Sequence, residues 1–600
     1  MPGLALIISR RPKAENTLRL QQMLDSMRHE SFYSSGTYIN EDAGIYIGWL
    51  CHPGSYCDCM PISNERKNHL LFFYGENHAD PEDFDRLRQR GHVLPKENAA
   101  YVLHLFEEQG PDFLQALNGW FHGIMVDLTR KEIAIFNDRF GMQRLYYCED
   151  GESVLYASEA KALLKVVRKL RSLDSQGFGE YLTCGCVLEN RTLFSGLRTL
   201  PAASLWTHKY GGLKQEVCYF QPDSWETAPA FSEAELEKNL TQVLPRIIGR
   251  YFRSSLPLGI SLTGGYDTRV IMAFMNEHFG QIPCYTFGGM YRDCFDVKIA
   301  RRVAKVCECE HQVLSLDRHF LDSFRDLAEK TVYISDGNLG AGNAYELYLN
   351  RLARSVAPVR LTGSYGSEVL RQARAFNAVL PPPGLIHSDF AKPVQAAIST
   401  FDKISQCHNL TFSIYKQAPW FYYNRLAVEQ SQVIIRTPYM DKDLIALVYR
   451  AGKMKKSGKE LARNLIRYGN PALVELPTDT GNASWLWGQT AQFLFKADYC
   501  YKSGMPQWLE RMHYLAGPFQ PEKLIRGIHR FAHFRIWFRN ELAPYLKEML
   551  LDTRADRRPY LNKGILEKMV YRHQRGTWNY TDELEKVLTL ELLHRLFIDG

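Results

Sequence analysis

Six hundred residues pass without an apolar stretch of membrane-spanning length, which argues against a helical membrane protein. Residues 1–8 run into Arg10, Arg11 and Lys13 too soon for a secretory signal, so a cytoplasmic protein is expected. Long runs of Lys or Arg are missing too. A net charge of +7 is small for this length, and no electrostatic footprint for nucleic acid is present. No Cys-x-x-Cys half-site occurs among the 13 cysteines. Two looser groups, Cys51-His52 with Cys57 and Cys59, and Cys307 and Cys309 with His311, therefore make poor zinc sites. An odd number of scattered cysteines reads as reduced thiols, not as a disulfide framework. What remains is ordinary soluble composition, 45% apolar and 23% charged, in a chain long enough for two to four domains.

The chemistry concentrates around residues 256–279. An apolar run, Leu258 to Leu262, has the character of a buried parallel strand. It turns through Thr263-Gly264-Gly265 into a helix with Val270, Ile271, Phe274 and Met275 on its apolar stripe and Asn276 and Glu277 on its polar side. A strand entering a helix through paired glycines is an anion cradle, since backbone N–H groups point outward and the helix dipole favours negative charge. Thr263 and Thr268 add hydroxyls. Asp267 would repel phosphate unless a hard cation such as Mg²⁺ lies between them. The combination describes a pyrophosphate-plus-metal site, against the plainer alternative of a structural Gly-Gly turn.

Alternating strand and helix signals from 232 to about 370 predict a doubly wound parallel sheet. Its strands include Cys284–Gly288, His311–Leu316 and Val359–Thr362, with a helix from Asp296 to Cys307. Ser232 and Glu235 carry a capping-box pattern. Before them, residues 221–231 are Pro-containing and aperiodic, which marks a linker. Upstream, period-two apolar runs between residues 121 and 158 predict an antiparallel α+β domain.

Thr263–Thr268 resembles the Ser-Gly-Gly-x-Asp-Ser loop of ATP-pyrophosphatases. Asp138-Arg-Phe-Gly141 and Ala157-Ser-Glu-Ala-Lys-Ala-Leu163 resemble the N-terminal glutamine amidotransferase domain of the asparagine synthetase family. The resemblance runs over nearly the whole chain and includes the C-terminal helical segments around 558–561 and 588–597. It implies an Ntn-type four-layer αββα sandwich over 1–220. An ATP-pyrophosphatase domain over 232–600 follows, mostly helical after 482. It further implies ATP held by Ser261, Leu262, Thr263, Gly264, Gly265, Asp267, Thr268, Phe287, Gly288, Thr362 and Gly363, with Asp267 and Glu368 on Mg²⁺. Thr263, Asp267, Thr268 and Glu368 are the implied catalytic set. The implied partners are a small-molecule or peptide carboxylate and an amine or ammonia, without nucleic acid or membrane. A homodimer is left open.

The sequence departs from the family pattern at several chemical positions. No Cys occurs before Cys51, where the family has an N-terminal Cys nucleophile. The glutamine-binding motifs read Tyr74-Gly75-Glu76 and Asn98, and no Arg stands near Ile45–Leu50 to hold the glutamine carboxylate. In the second nucleotide loop, Thr362-Gly-Ser-Tyr-Gly-Ser-Glu368, Ser367 replaces a metal-binding Asp. Glu475-Leu-Pro-Thr-Asp-Thr-Gly481 replaces the run that carries the family's catalytic Lys, and Lys455, Lys456 and Lys459 read as surface residues. The Arg436–Asp441 segment reads as architectural. The expectation is an AMP-forming ligase whose glutaminase half is inactive. A non-catalytic nucleotide-binding or scaffold protein is the alternative, and glutamine-hydrolysing asparagine synthesis is a third reading.

Overall fold

The computed structural model describes residues 2–94, 96–209, 214–275, 280–451, 458–478, 485–515 and 522–599. Two six-stranded sheets stack in the N-terminal third. The first runs in the order 198–199, 146–150, 153–157, 3–8, 45–51, 34–40, and the second 214–218, 204–209, 132–137, 121–127, 69–75, 62–63. Neighbouring strands in both are antiparallel.

Strand alternation builds the layers. Leu4 and Leu6 of Gly3–Ile8 face the second sheet and meet Ile45, Ile47, Phe72 and Ile124 in a shared core. Ala5 and Ile7 point the other way, onto Leu20, Met23 and Leu24 of the helix Lys13–Met27. The helix Ala100–Gln109 covers the outer face of the second sheet with Val102, Leu103 and Leu105. The result is an αββα sandwich, as the resemblance implies.

Residues 221–231 are not a bare tether. Asp223–Glu226 forms a short helix, and Trp225 packs on Phe220 at a centroid distance of 4.6 Å. Ser232 then caps the helix Glu233–Phe252 reciprocally with Glu235. The second sheet system has five parallel strands in the order 311–315, 284–288, 258–261, 359–362, 434–436. Beyond Pro506 the described chain is helical, including Lys563–Gln574 and Thr581–Leu593. Among the described residues no helix is long and apolar enough to cross a membrane. All thirteen cysteines are free thiols.

The two halves meet through buried polar pairs. Arg436 Nε and Nη2 donate to Glu76 Oε2 and Oε1 at 2.8 and 2.6 Å. Asp441 accepts from Asn118 Nδ2 at 2.7 Å and from Arg250 Nη1 at 3.1 Å. The Ala157–Leu163 segment is also an interface element, because the N–H groups of Ala160 and Lys161 donate to Asp336 at 2.8 and 3.0 Å.

Candidate active site

The strand Leu258–Ser261 ends at the carboxyl edge of the parallel sheet, and the chain re-enters a helix at Tyr266–Ala273. The helix stops at Ala273, short of the predicted length. Phe274 and Met275 still pack inward, while Asn276 and Glu277 lie outside the described residues. Gly265 caps the helix with φ −81° and ψ −177°, which any residue could adopt. A Cβ there would meet nothing nearer than Thr263 Oγ1 at 3.7 Å. The fold itself therefore does not require glycine at 265. What glycine preserves is open space above a helix N-terminus. Thr263 is exposed, and its hydroxyl stands 3.1 Å from that of Thr268. The Gly264 N–H donates to Asp296 Oδ1 at 2.8 Å, a carboxylate from the first turn of the helix Phe295–Val306.

The second loop closes directly over the first. Thr362 Oγ1 lies 3.0 Å from Ser364 Oγ, and Tyr365 takes φ +70°. A Cβ on Gly363 would come within 2.5 Å of the Thr268 nitrogen, and one on Gly366 within 2.6 Å of Asp267 Cβ. These two glycines, unlike Gly265, are demanded by close backbone approach. Gly288 is likewise fixed by packing, since a Cβ would meet Ser315 Oγ and Val313 Cγ1 at 2.9 Å. Ser261 and Leu262 are buried, with Ser261 Oγ accepting from Arg360 Nη2 at 3.3 Å. Phe287 lies under the Arg360 guanidinium at 5.0 Å.

Asp267, Gly363 and Glu368 line one cavity of about 220 Å³ with Ser367, Tyr422, Arg425 and Glu429. Thr263, Gly264, Thr268, Phe287 and Gly288 are not part of its wall. Asp267 Oδ2 accepts from Ser367 Oγ at 2.7 Å and pairs with Arg371 Nη2 at 3.1 Å. Glu368 Oε1 accepts from the Tyr422 hydroxyl at 2.8 Å. Burial raises the Glu368 carboxyl above its ordinary range, against the lowering effect of that hydrogen bond, and the nearby Asp267 adds to the rise.

A two-carboxylate magnesium site needs two ionised oxygen donors free for the metal. Here a guanidinium already stands at Asp267, a hydroxyl replaces the second aspartate, and Glu368 is pushed toward its protonated form. The residues do not fit such a site. They fit a site in which the protein supplies its own fixed cation, Arg371, while Arg425 on the cavity wall is paired with Glu429 at 3.2 Å and Glu346 at 3.8 Å. Arg371 follows Ser367 by one helical turn, a spacing visible in the sequence but uninformative until Asp267 is placed beside it.

Arg269 joins the phosphate loop to the segment where the family's lysine would stand. Its guanidinium donates to the carbonyls of Leu473, Leu476, Pro477 and Gly264 at 2.8–3.3 Å. Thr478 is buried there, whereas 479–481 lie outside the described residues, as do Lys455 and Lys456. Lys459 is exposed.

The glutamine-motif residues divide between two cavities. Tyr74 and Gly75 line one with Cys57, Gln143 and Ile435, and Asn98 lines another with Lys96, Arg250 and Arg253. Glu76 borders both. Burial pushes its carboxyl up, but the Arg436 charge and hydrogen bonds outweigh this and leave it below the ordinary range. Glu76 is thus committed to the domain interface.

Residues 1–219 match the family described as glutamine amidotransferase domain, and residues 239–382 that described as asparagine synthase. Asparagine synthetase B [glutamine-hydrolyzing] of Escherichia coli is 26% identical over 42% of this chain and 40% of its own length. Asparagine synthetase [glutamine-hydrolyzing] 1 of Bacillus subtilis is 22% identical over 62% of this chain and 58% of its own. The chain thus spans about half the length of these relatives. Among solved structures, the glutamine phosphoribosylpyrophosphate amidotransferase of B. subtilis overlaps 53% of this chain and 91% of its own at 10% identity. Its TM-score of 0.28 adds nothing to the topology described above.

Proposed function

Because the chain belongs to the asparagine synthetase family through both of its domains, we propose that it is an ATP-dependent carbon–nitrogen ligase fed by ammonia or an amine instead of its own glutaminase. The observation that carries this reading is the open cradle at Gly265, where glycine serves no packing need and two threonine hydroxyls flank a helix N-terminus. The β,γ-phosphates would lie on Thr263, Gly264, Gly265 and Thr268, displacing Asp296 from the Gly264 N–H. Arg371 would offset phosphate charge. A substrate carboxylate then attacks the α-phosphorus, pyrophosphate leaves, and the nitrogen nucleophile opens the acyl-adenylate to an amide with release of AMP.

The commitment of Glu76 to Arg436, and Tyr74 where the family has its oxyanion asparagine, support an inactive glutaminase half. A second reading has its own observation: the closed Asp267–Ser367–Arg371 arrangement suits a nucleotide-binding scaffold without turnover. Calorimetry with ATP, followed by AMP release across a carboxylate panel with ammonia present, decides between them. Binding with AMP release supports the ligase. Binding without release across the panel supports the scaffold, and absence of binding overturns both. Glutamate release from glutamine would restore the glutamine-hydrolysing reading.

A further inference from the structure

Three segments on the outer side of the N-terminal domain converge on a second polar site, far in sequence from the nucleotide loops. Glu65 sits in the turn between the strands Ile62–Ser63 and His69–Gly75. His92 follows the helix Pro81–Gln89, and His104, Glu107 and Glu108 stand on the helix Ala100–Gln109. One ligand atom from each of Glu65, His92, His104 and Glu107 lies within 4.8 Å of all the others. We propose that these four residues bind a zinc-type divalent cation, independently of any chemistry at the nucleotide loops.

The hydrogen-bond inventory is what calls for a cation. His92 Nε2 is 2.9 Å from Glu108 Oε1, and a carboxylate accepts, so the imidazole proton belongs on Nε2 and Nδ1 presents a lone pair. That Nδ1 faces His104 Nδ1 at 3.1 Å. His104 Nδ1 is also 2.8 Å from Glu107 Oε2, and His92 Nδ1 is 3.7 Å from the same oxygen. One imidazole proton is therefore shared among a lone pair and a carboxylate, with Glu65 beside them. A divalent ion in its place would satisfy every acceptor and neutralise two carboxylates.

The separations suit this replacement. Tetrahedral zinc with bonds near 2.0–2.1 Å holds its ligands about 3.3 Å apart; the 2.8, 3.1 and 3.7 Å among His92, His104 and Glu107 bracket that value, and Glu65 stands wider, within 4.8 Å of the others. Two imidazoles with two carboxylates favour zinc over calcium or magnesium, which select all-oxygen sets. The outer partners are those of a supported metal site: Glu108 orients His92, and Asn64 Nδ2 donates to the second Glu107 oxygen at 2.8 Å. His104 is buried, while His92 and Glu107 retain side-chain exposures of 14% and 20%, which leaves a path for the ion. The loose metal-type groupings in the sequence lie among its cysteines, whereas these ligands come from three segments without a spacing motif. Among the described residues, neither cysteine cluster gathers three ligand atoms.

The test uses the full chain, stripped with chelator and titrated with zinc chloride, with cobalt substitution as a spectroscopic readout. One equivalent of zinc is expected, together with a tetrahedral cobalt spectrum and a raised melting temperature. His92→Gln and Glu107→Gln should abolish all three, and Glu108→Gln should weaken affinity by about tenfold or more. His92→Gln is compared with the wild type in the stripped state, where equal melting temperatures show that the variant is folded. Absence of stoichiometric zinc in the wild type, or undiminished zinc in His92→Gln (which would place the metal on cysteines), overturns the proposal.

Discussion

Glu76 and Arg436, 360 positions apart, form a two-pronged ion pair with both side chains about nine-tenths buried. The pair locks Glu76, just after the strand His69–Gly75, to the last strand of the parallel sheet. Arg436 also donates to the carbonyls of Tyr251 and Arg253 at 3.2 and 2.6 Å. Arg436→Met should therefore cost about 3–5 kcal/mol, because it strands a buried carboxylate. Adding Glu76→Gln should recover much of that loss but not all, given the two carbonyls. Denaturant unfolding of both single variants and the double variant checks this. Additive losses would mean that the pair contributes nothing as a pair.

The same carboxylate sets an acid sensitivity. Folded Glu76 titrates below its ordinary value of 4.5, so between the two values the unfolded chain binds the extra proton. Its contribution is complete above about pH 4.5 and is lost as pH falls through the folded value. Melting temperature against pH should fall more steeply in the wild type than in the Glu76→Gln/Arg436→Met double variant over that acid range. Parallel curves would remove Glu76 from the acid limb.

Arg371, ion-paired to Asp267, occupies the place that a metal would need at that carboxylate. Arg371→Ala should weaken ATP binding in the absence of magnesium by about tenfold, equivalent to ~1.4 kcal/mol. Added magnesium should restore more affinity in the variant than in the wild type. Calorimetry at two magnesium concentrations measures both terms. An Arg371→Ala protein with unchanged magnesium dependence would show that the guanidinium does not act as the fixed cation.

Two glycines separate fold from ligand. Gly265→Ala should leave stability within about 1 kcal/mol, since its Cβ meets only Thr263 Oγ1 at 3.7 Å, yet should abolish nucleotide binding. Gly363→Ala should destabilise by about 1–3 kcal/mol, because its Cβ would press on the Thr268 nitrogen at 2.5 Å. Thermal melts and ATP titrations of the pair separate the two effects. Equal ATP affinity in Gly265→Ala and wild type would close the cradle reading.

What sequence could reveal follows from how far its signals reach. Strand, glycine turn and helix at 258–273 are local, so this strand–turn–helix was legible in sixteen consecutive residues. The antiparallel strands between 121 and 158 followed from period-two runs and the Ser232 cap from a four-residue pattern, whereas the two-sheet sandwich came from the resemblance. The state of Asp267 was not legible, because Arg371 approaches it from a different loop 104 positions away. Glu76 read as part of a degenerate glutamine motif, Tyr74-Gly75-Glu76, and only the tertiary fold shows it paired to Arg436. The His92–His104 cluster was invisible for the same reason, since its ligands come from a turn, a loop and a helix.

Arg269 gives the site a mechanical character. One flat, fully buried guanidinium grips the turn of the phosphate loop at Gly264 and three carbonyls of the 473–477 segment. The Thr263–Gly265 turn and the 473–477 segment are thereby riveted into a single piece, so a shift of either has to carry the other with it.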